Sequence, residues 1–328
     1  MRSLLSVVVP AYNEQEVLPE FNRRLSAVLS ALDFDSEVIY VNDGSTDKTP
    51  QVLDELAEKD GRVGVLHLSR NFGKEIALTA GLDHARGIAV IVIDADLQDP
   101  PELIPELVKP WKEQGWDVVY AKRKERQGES WVKRATAYGF YRVIQSMSRV
   151  RIPEDTGDFR LISRRALDSL LALRERNRFM KGLFAWVGYR QTAVLYDRQP
   201  RHAGLTKWNY WRLWNFAIEG ITSFSTAPLK IATYVGLLAA VTAFLYGTWV
   251  IYKTLVYGDP VAGFPTLMVV ILFLGGVQLT AVGMIGEYLA RMFDETKNRP
   301  LYLVDAYRPA AAVRDFEAHP KSITKAAS

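Results

Sequence analysis

The sequence contains no cysteine, so disulfide bonds and thiolate metal sites are excluded. It also contains no internal repeat and no low-complexity tract. The formal net charge is only +4, and we expect no nucleic-acid partner. What the chain has instead is a charged N-terminal part and a C-terminal part with long uncharged segments.

Two C-terminal segments, Ile231–Tyr252 and Val261–Gly286, contain no charged residue. Each is long enough to cross a bilayer as an α-helix, which needs about 20 apolar residues. A buried core helix rarely continues so far without a polar face. We therefore predict transmembrane helices over residues 229–256 and 261–289.

The distribution of basic residues predicts how these helices are oriented. The turn 257–263 contains no Lys or Arg, whereas basic residues flank both segments. The N-terminal run Leu4–Val9 ends at Pro10 and predicts a β-strand entering a loop, not a secretory signal. Both termini and the large N-terminal part are therefore expected in the cytoplasm, in a multi-pass inner-membrane protein.

Residues 1–120 alternate short β-rich runs with amphipathic helical patterns. This alternation predicts right-handed crossovers and a mostly parallel, Rossmann-like α/β sheet. The runs that predict strands are 5–10, 36–43, 63–69, 88–96 and 116–121. After them, DTGDFRLISRRAL predicts a strand or turn that leads into a helix.

Polar residues follow four of these strands at the ends where ligands bind in parallel sheets. They are Tyr12-Asn13-Glu14, Asn42-Asp43-Gly44-Ser45, Ser69-Arg70-Asn71 and Asp94-Ala95-Asp96. The alternative is that Asn, Asp and Gly only form turns and helix caps there. We favour that alternative for Ser45, Thr46 and Asp47, with Thr46 or Asp47 capping the next helix.

Asp94-x-Asp96 is the centre of the expected site. Two carboxylates at a strand end can hold a hard divalent cation, and Gln98 offers a further oxygen nearby. The motif alone is weak, because Asp33-x-Asp35 also occurs in a helix-to-strand turn. Asp94 and Asp96 differ from that pair because a buried strand precedes them and the segment Gln98-Asp99-Pro100-Pro101 follows them.

Basic residues cluster over 122–134, and the segment 207–224 combines several aromatic residues with Lys207 and Arg212. The second segment is typical of a helix in the headgroup layer, so we expect juxtamembrane interfacial helices over 201–228. Lys122 and Lys124 are expected on a solvated surface. Alternation along an extended segment places Arg123 on the opposite face.

Four motifs resemble the inverting family-2 glycosyltransferases with the GT-A fold: VVVPAYNE, VNDGSTD, SRNFGKEIALTAGLDHARG and DADLQDPPE. The apolar segments and the ending GEYLARMFDETKNRPLYLV resemble the branch that uses polyisoprenyl phosphates, above all bacterial bactoprenol glucosyltransferases. The resemblance extends from about residue 5 to 305. It implies a cytoplasmic GT-A catalytic domain over residues 1–200 and a role in cell-envelope glycosylation.

The resemblance also implies individual residue roles. The base and ribose of the donor would contact Pro10, Tyr12, Glu14, Val41 and Asp43. Asp94 and Ala95 would lie near the ribose and diphosphate, and Asp96 and Gln98, with Asp94 beside them, would bind Mg²⁺ or Mn²⁺. The phosphates of donor and acceptor would face Arg123, Arg126, Lys133 and Arg134.

Asp158 matches an acidic position that is often proposed as a catalytic base in the family. An alkyl phosphate acceptor has a second pKa near ~6 and is largely a dianion at neutral pH, so it needs no base. Asp158 could instead orient Arg160, shape the acceptor-phosphate site, or only form a turn beside Gly157.

The resemblance favours UDP-glucose as donor and polyprenyl (undecaprenyl) phosphate as acceptor. Another sugar such as mannose or an aminoarabinose-type sugar, a lipid hydroxyl acceptor, and a non-enzymatic sugar-nucleotide-binding scaffold remain alternatives. The chain lacks the Q-x-x-R-W element of processive relatives, which predicts single transfers.

Residues 290–328 would form a strand, over 299–304, and a disordered tail after Arg308. The strand could join the sheet of a neighbouring copy in a homo-oligomer, a tetramer by resemblance, or the segment could be an extended tail that lies on its own domain.

Overall fold

The computed structural model describes residues 3–123, 156–176, 178–196, 227–257 and 263–313. The chain divides into two units. The first comprises Met1–Tyr141, Val150–Asn209 and Pro300–Ser328, and the second comprises Arg142–Arg149 and Tyr210–Arg299.

An eight-stranded sheet forms the first unit, in the order β7-β5-β6-β4-β1-β2-β3-β8. Its strands are β1 Leu4–Ala11, β2 Asp35–Asn42, β3 Val63–Leu68, β4 Ala89–Val92, β5 Val118–Arg123, β6 Thr156–Ser163, β7 Gln191–Tyr196 and β8 Val304–Arg308. Strand β1 pairs in parallel with β2 and β4, β2 with β3, and β5 with β7. The mostly parallel sheet predicted from the sequence is confirmed.

Helices cover both faces of this sheet. They are α1 Leu18–Ala31, α2 Thr49–Lys59, α3 Lys74–His84, α4 Ile104–Gln114, α5 Arg164–Leu171 and α6 Met180–Trp186. Leu5, Val7 and Val9 belong to the same buried cluster as Phe21 of α1 and Leu107 of α4. Alternate strand residues point to opposite faces, and Val8 lies against α3 on the other side.

Two features of the sheet depart from the sequence prediction. Strand β6 lies antiparallel between β4 and β5, so the chain order and the spatial order differ. The C-terminal strand begins at Val304 instead of 299 and pairs antiparallel with β3 of its own chain. Tyr302, which precedes it, donates a hydrogen bond from its hydroxyl to Asp83 of α3 at 2.9 Å, so the chain contacts α3 before the pairing with β3 begins.

The second unit contains two long helices, α7 Ala227–Tyr257 and α8 Phe264–Thr296. Both are long and apolar enough to cross a membrane, over Ala232–Trp249 and Phe273–Thr296. Helix α8 continues past the predicted end at 289, where Arg291 pairs with Glu287 one turn earlier. Most of the predicted interfacial segment 201–228 and the tail after 313 lie outside the described residues.

Candidate active site

A cavity of about 350 Å³ opens where β1, β2 and β4 end. It lies at the carboxyl ends of parallel strands, where the sequence predicts a ligand site. The residues that line it are Pro10, Ala11, Tyr12, Glu14, Asp43, Asn71, Gly73, Lys74, Ala77, Asp94, Ala95 and Asp96. The structure therefore brings together most of the residues expected to bind the donor.

Hydrogen bonds tie the loops after β1 and β2 to each other. The amide of Asn13 donates to Ser45 Oγ at 3.0 Å, and the amide of Thr46 donates to Asn13 Oδ1 at 2.9 Å. Asp47 Oδ1 accepts from the amide of Thr49, the first residue of α2, at 2.9 Å. Ser45, Thr46 and Asp47 thus have the turn roles that we favoured, but the expected helix cap is wrong: the N-cap residue of α2 is Lys48, and neither Thr46 nor Asp47 occupies that position.

Asp43 holds the loop that leads into α3. Its two carboxylate oxygens accept hydrogen bonds from the amides of Phe72 and Gly73, at 2.7 and 2.9 Å. Burial raises the pKa of the Asp43 carboxyl, and these two amides oppose that rise. Gly44 has φ +63°, and a Cβ there would lie 2.4 Å from the carbonyl carbon of Arg70. No larger residue fits between the two loops.

Val41 is the one expected base-contacting residue whose side chain lies away from this cavity. It is fully buried beneath α3, where a Cβ on Gly81 would approach it to 2.9 Å. A contact between Val41 and a base would have to be made by the backbone.

The residues proposed to hold a metal occupy a sharp turn after β4. Asp96 Oδ1 accepts the amide of Gln98 at 3.1 Å, and Leu97 between them has φ +58°. Among the described residues, no three acidic, His or Cys side chains form a closed metal site. An open set of one or two carboxylates suits Mg²⁺ or Mn²⁺ shared with substrate phosphates. The donors present therefore fit such a cation.

Lys74 connects this turn to β6, and the sequence patterns assign it no role. Its Nζ lies 2.7 Å from Asp94 Oδ2 and 2.5 Å from Asp158 Oδ2. Burial alone would lower the pKa of Lys74, but the two carboxylates outweigh it and raise that pKa. Lys74 is therefore a cation at neutral pH. Its place in the motif SRNFGKEIALTAGLDHARG, directly after the loop Ser69–Gly73, is the sequence signal that points to it.

Asp158 is buried on β6, and no hydrogen-bond partner of its Oδ1 is present in the described part of the chain. Burial alone would raise the pKa of this carboxyl, but the ammonium groups of Lys74 and Lys181 hold it well below its usual range. Arg160 donates from Nη2 to the carbonyl of Gly157 at 2.9 Å and from Nε to the carbonyl of Asp158 at 3.3 Å. Contact with Arg160 is thus through the backbone, not through the Asp158 carboxylate.

Two further ionisable groups, half-buried Glu75 and buried Arg160, surround Asp158. Burial, followed by repulsion from Asp158, raises the pKa of Glu75 to about 7, and Glu75 Oε2 accepts the amide of Met180 at 3.3 Å. Burial lowers the pKa of Arg160 to about 10, and its guanidinium lies 3.8 Å from the ring centre of Phe184. This cluster is more highly charged than the sequence indicates.

The predicted acceptor-phosphate residues lie at the limit of what the structure describes. Arg123 is the last residue of β5, and only its backbone is described. Arg126, Lys133 and Arg134 lie outside the described residues. Their roles stay predictions.

Residues 6–171 match glycosyl transferase family 2, and residues 227–292 match the family described as GtrB C-terminal hairpin. The chain belongs to glycosyl transferase family 2 and is a glycosyltransferase with a GT-A-like, mostly parallel α/β domain.

Relatives match along nearly the whole chain. An uncharacterised glycosyltransferase from Synechocystis sp. is 57% identical over 92% of this chain and 94% of the relative. An SfII prophage-derived bactoprenol glucosyl transferase from Shigella flexneri is 50% identical over 92% and 97%. Among solved structures, glucosyl-3-phosphoglycerate synthase from Mycobacterium tuberculosis is 23% identical, with a TM-score of 0.46, over 67% of this chain and 77% of that one.

Proposed function

We propose that the protein transfers single glucose residues from UDP-glucose to a polyprenyl phosphate at the cytoplasmic face of the membrane. The observation that carries this proposal is the 50% identity to a bactoprenol glucosyl transferase over both the catalytic domain and the helical hairpin. The cavity at the strand ends, lined by Asp43, Asp94 and Asp96, supports the donor assignment.

A divalent cation would be held by Asp96, with Gln98 and Asp94 beside it, and would neutralise charge on the leaving diphosphate. Tyr12, 40% exposed at the rim of the cavity, and Glu14 are placed to contact the base and ribose. These residues orient the donor, and positioning is the main task of the protein in such a transfer.

The chemical step needs no proton transfer to the enzyme. An oxygen of the acceptor phosphate dianion bonds to the anomeric carbon as the bond to the UDP oxygen breaks, and UDP leaves as an anion. The configuration at that carbon is inverted. Lys74 holds Asp158 ionised with a lowered pKa, and a carboxylate of low pKa is a poor general base. The ion pair between Lys74 and Asp158 therefore supports a role for Asp158 as a fixed negative charge and not as a base.

We also propose that α7 and α8 form a membrane hairpin, that both termini are cytoplasmic, and that the protein forms a homo-oligomer, a tetramer by resemblance. The pairing of β8 with β3 could be made between copies as well as within one, because β8 follows the junction of the two units at Arg299. Light scattering in detergent before and after removal of residues 299–328 tests this. An unchanged mass would exclude β8 as the oligomer contact.

A donor panel tests the function. Purified protein is incubated with polyprenyl phosphate and UDP-glucose, GDP-mannose or a UDP-aminoarabinose, with Mn²⁺, Mg²⁺ or EDTA. We expect glucosyl lipid from UDP-glucose only, and none in EDTA. Transfer of another sugar, transfer to a dolichol-type alcohol in place of the phosphate, or binding of UDP-glucose without product would each support one of the alternatives.

A further inference from the structure

Tyr196 and Asp99 form a buried pair near the candidate active site. Tyr196 is the last residue of β7, and its hydroxyl donates a hydrogen bond to Asp99 Oδ1. Tyr196 is 4% exposed and Asp99 is 2% exposed. The described residues that line the cavity do not include either of them. Any effect of this pair on the reaction must therefore pass through the residues that it holds in place.

Asp99 follows the turn after β4. Asp94 and Asp96 of that turn line the cavity, and Leu97 has φ +58°, a left-handed conformation that residues other than glycine rarely adopt. Such a conformation persists only where the surrounding structure fixes it. The hydrogen bond from Tyr196 anchors the chain two residues after Leu97 and so helps to fix the turn.

Asp99 also lies close to β6. A Cβ at Gly157 would lie 3.5 Å from Asp99 Oδ2, an ordinary van der Waals distance, so the carboxyl group of Asp99 packs near the backbone of Gly157. The next residue is Asp158, whose carboxylate pairs with Lys74. The same carboxyl group is thus close to the turn that lines the cavity and to the strand that carries Asp158.

Tyr196 brings in the ends of β5 and β7. In the parallel pairing of these strands, Tyr196 is the partner of Arg123, which the family resemblance places near the phosphates of donor and acceptor. Tyr196 also belongs to the same buried cluster as Ala95 and Leu97 of the turn and Phe159 of β6. The pair therefore connects the strand end at Arg123 to the turn after β4.

We propose that Tyr196 and Asp99 are positioning residues that fix the donor-binding turn after β4 relative to the strand ends where the acceptor phosphate is expected. This inference rests on the transfer proposed above, because it concerns the alignment of two substrates. Each substrate can bind to its own side of the site without the pair, but the reaction needs both in the correct relative position. Loss of the hydrogen bond should therefore reduce kcat and change the two KM values little.

The first experiment compares variants that each remove a buried tyrosine hydroxyl. Tyr196→Phe should lower kcat by about 10–100-fold, with the KM values for UDP-glucose and polyprenyl phosphate within about twofold of those of the unsubstituted protein. Tyr40→Phe is the matched control, since Tyr40 is fully buried in the same cluster and donates to Asn22 Oδ1 at 2.9 Å. Both variants should unfold at a lower temperature, but Tyr40→Phe should keep its kcat. An unchanged kcat in Tyr196→Phe, or an equal fall in Tyr40→Phe, would overturn the proposal.

The second experiment tests whether the two side chains act as one unit. Asp99→Ala should lower kcat as Tyr196→Phe does, and the double variant should be no slower than the slower single variant, because both changes remove the same hydrogen bond. Losses that multiply in the double variant would overturn the proposal. If Asp99→Ala does not fold, Asp99→Asn takes its place. Its side-chain oxygen can still accept from Tyr196, so it should retain most of its kcat, and a kcat as low as that of Tyr196→Phe would contradict the proposal.

Donor binding separates this inference from the proposed function. Calorimetric titration with UDP and Mn²⁺ should give Tyr196→Phe nearly the affinity of the unsubstituted protein, because the residues that line the cavity are unchanged. A loss of UDP affinity as large as the loss of kcat would overturn the positioning role. If the unsubstituted protein transfers no glucose, the proposed function fails and this inference fails with it. If it transfers glucose and Tyr196→Phe is equally fast, this inference alone fails.

Discussion

The Asp158→Asn variant tests whether the acceptor phosphate attacks as a dianion or needs Asp158 as a general base. If the acceptor attacks as a dianion, Asp158→Asn should keep measurable turnover, reduced by about 10–100-fold through lost positioning. The pH profile of kcat should follow the acceptor phosphate, near pH ~6, in both proteins. Single-turnover kinetics with bound donor and acceptor provide the measurement. Complete loss of the chemical step, with both substrates still bound, would show that Asp158 is a general base.

Glu75 makes stability depend on pH. Its folded-state pKa of about 7 is above the ordinary value of 4.5, so its favourable contribution is complete below pH 4.5 and is lost as the pH rises through 7. Glu75→Gln should therefore unfold at a higher temperature than the unsubstituted protein at pH 8 and at nearly the same temperature at pH 5. Thermal unfolding in detergent measures this. Glu55→Gln, on an exposed ion pair, is the control, and an equal gain at both pH values would contradict the assignment.

The sequence identifies the acidic residues of the site, but it does not identify the side chains that pair with them. Asp94, Asp96 and Asp43 could be identified because each directly follows an apolar strand. Lys74 could not, because its partner Asp158 lies far along the chain and only the antiparallel pairing of β6 with β4 brings them together. The raised pKa of Glu75 depends in part on Asp158 and therefore on the same tertiary contact.

Strand β8 depends on a close backbone approach at Gly64 of β3. A Cβ at Gly64 would lie 2.9 Å from the amide nitrogen of Ala310, whereas one at Gly61 would meet only the side chain of Ala311, at 3.8 Å. Gly64→Ala should destabilise the fold by about 1–3 kcal/mol, the usual cost of overpacking, while Gly61→Ala should not. Denaturant unfolding and the rate of tail cleavage by protease measure the effect. Equal stability of the two variants would show that the C-terminal segment can move aside at little cost.

The sequence predicts a strand or helix correctly where all the residues of that element have similar surroundings. Strands β1 to β5 are apolar runs followed by turn residues, and both long helices are continuous apolar segments. Strand β7 has no such pattern, because it lies at the sheet edge and all of its residues except Tyr196 are partly buried or exposed. Strand β8 was expected too early, because apolar residues 301–304 dominate the pattern, yet hydrogen bonding to β3 extends to Arg308.

At the scale of the whole molecule, the absence of cysteine allows the proposed topology to be tested directly. A single cysteine can be placed at Lys109, which is exposed on α4, and another at Asp259, which lies in the sequence between the end of α7 and the start of α8. If the hairpin crosses the membrane with both termini inside, a membrane-impermeant maleimide should label Asp259→Cys in intact cells. It should label Lys109→Cys only after the cells are permeabilised.

The two positions also separate the alternatives to this topology. Labelling of Lys109→Cys in intact cells would place the catalytic domain outside, away from cytoplasmic nucleotide sugars. Failure to label Asp259→Cys in intact cells, with labelling after permeabilisation, would mean that the helices lie along the inner surface or cross only in part. The unsubstituted chain is the control, since without a cysteine it should take up no label in either condition. Because α7 and α8 both have the length needed to cross about 30 Å of hydrocarbon, we expect the turn to be outside.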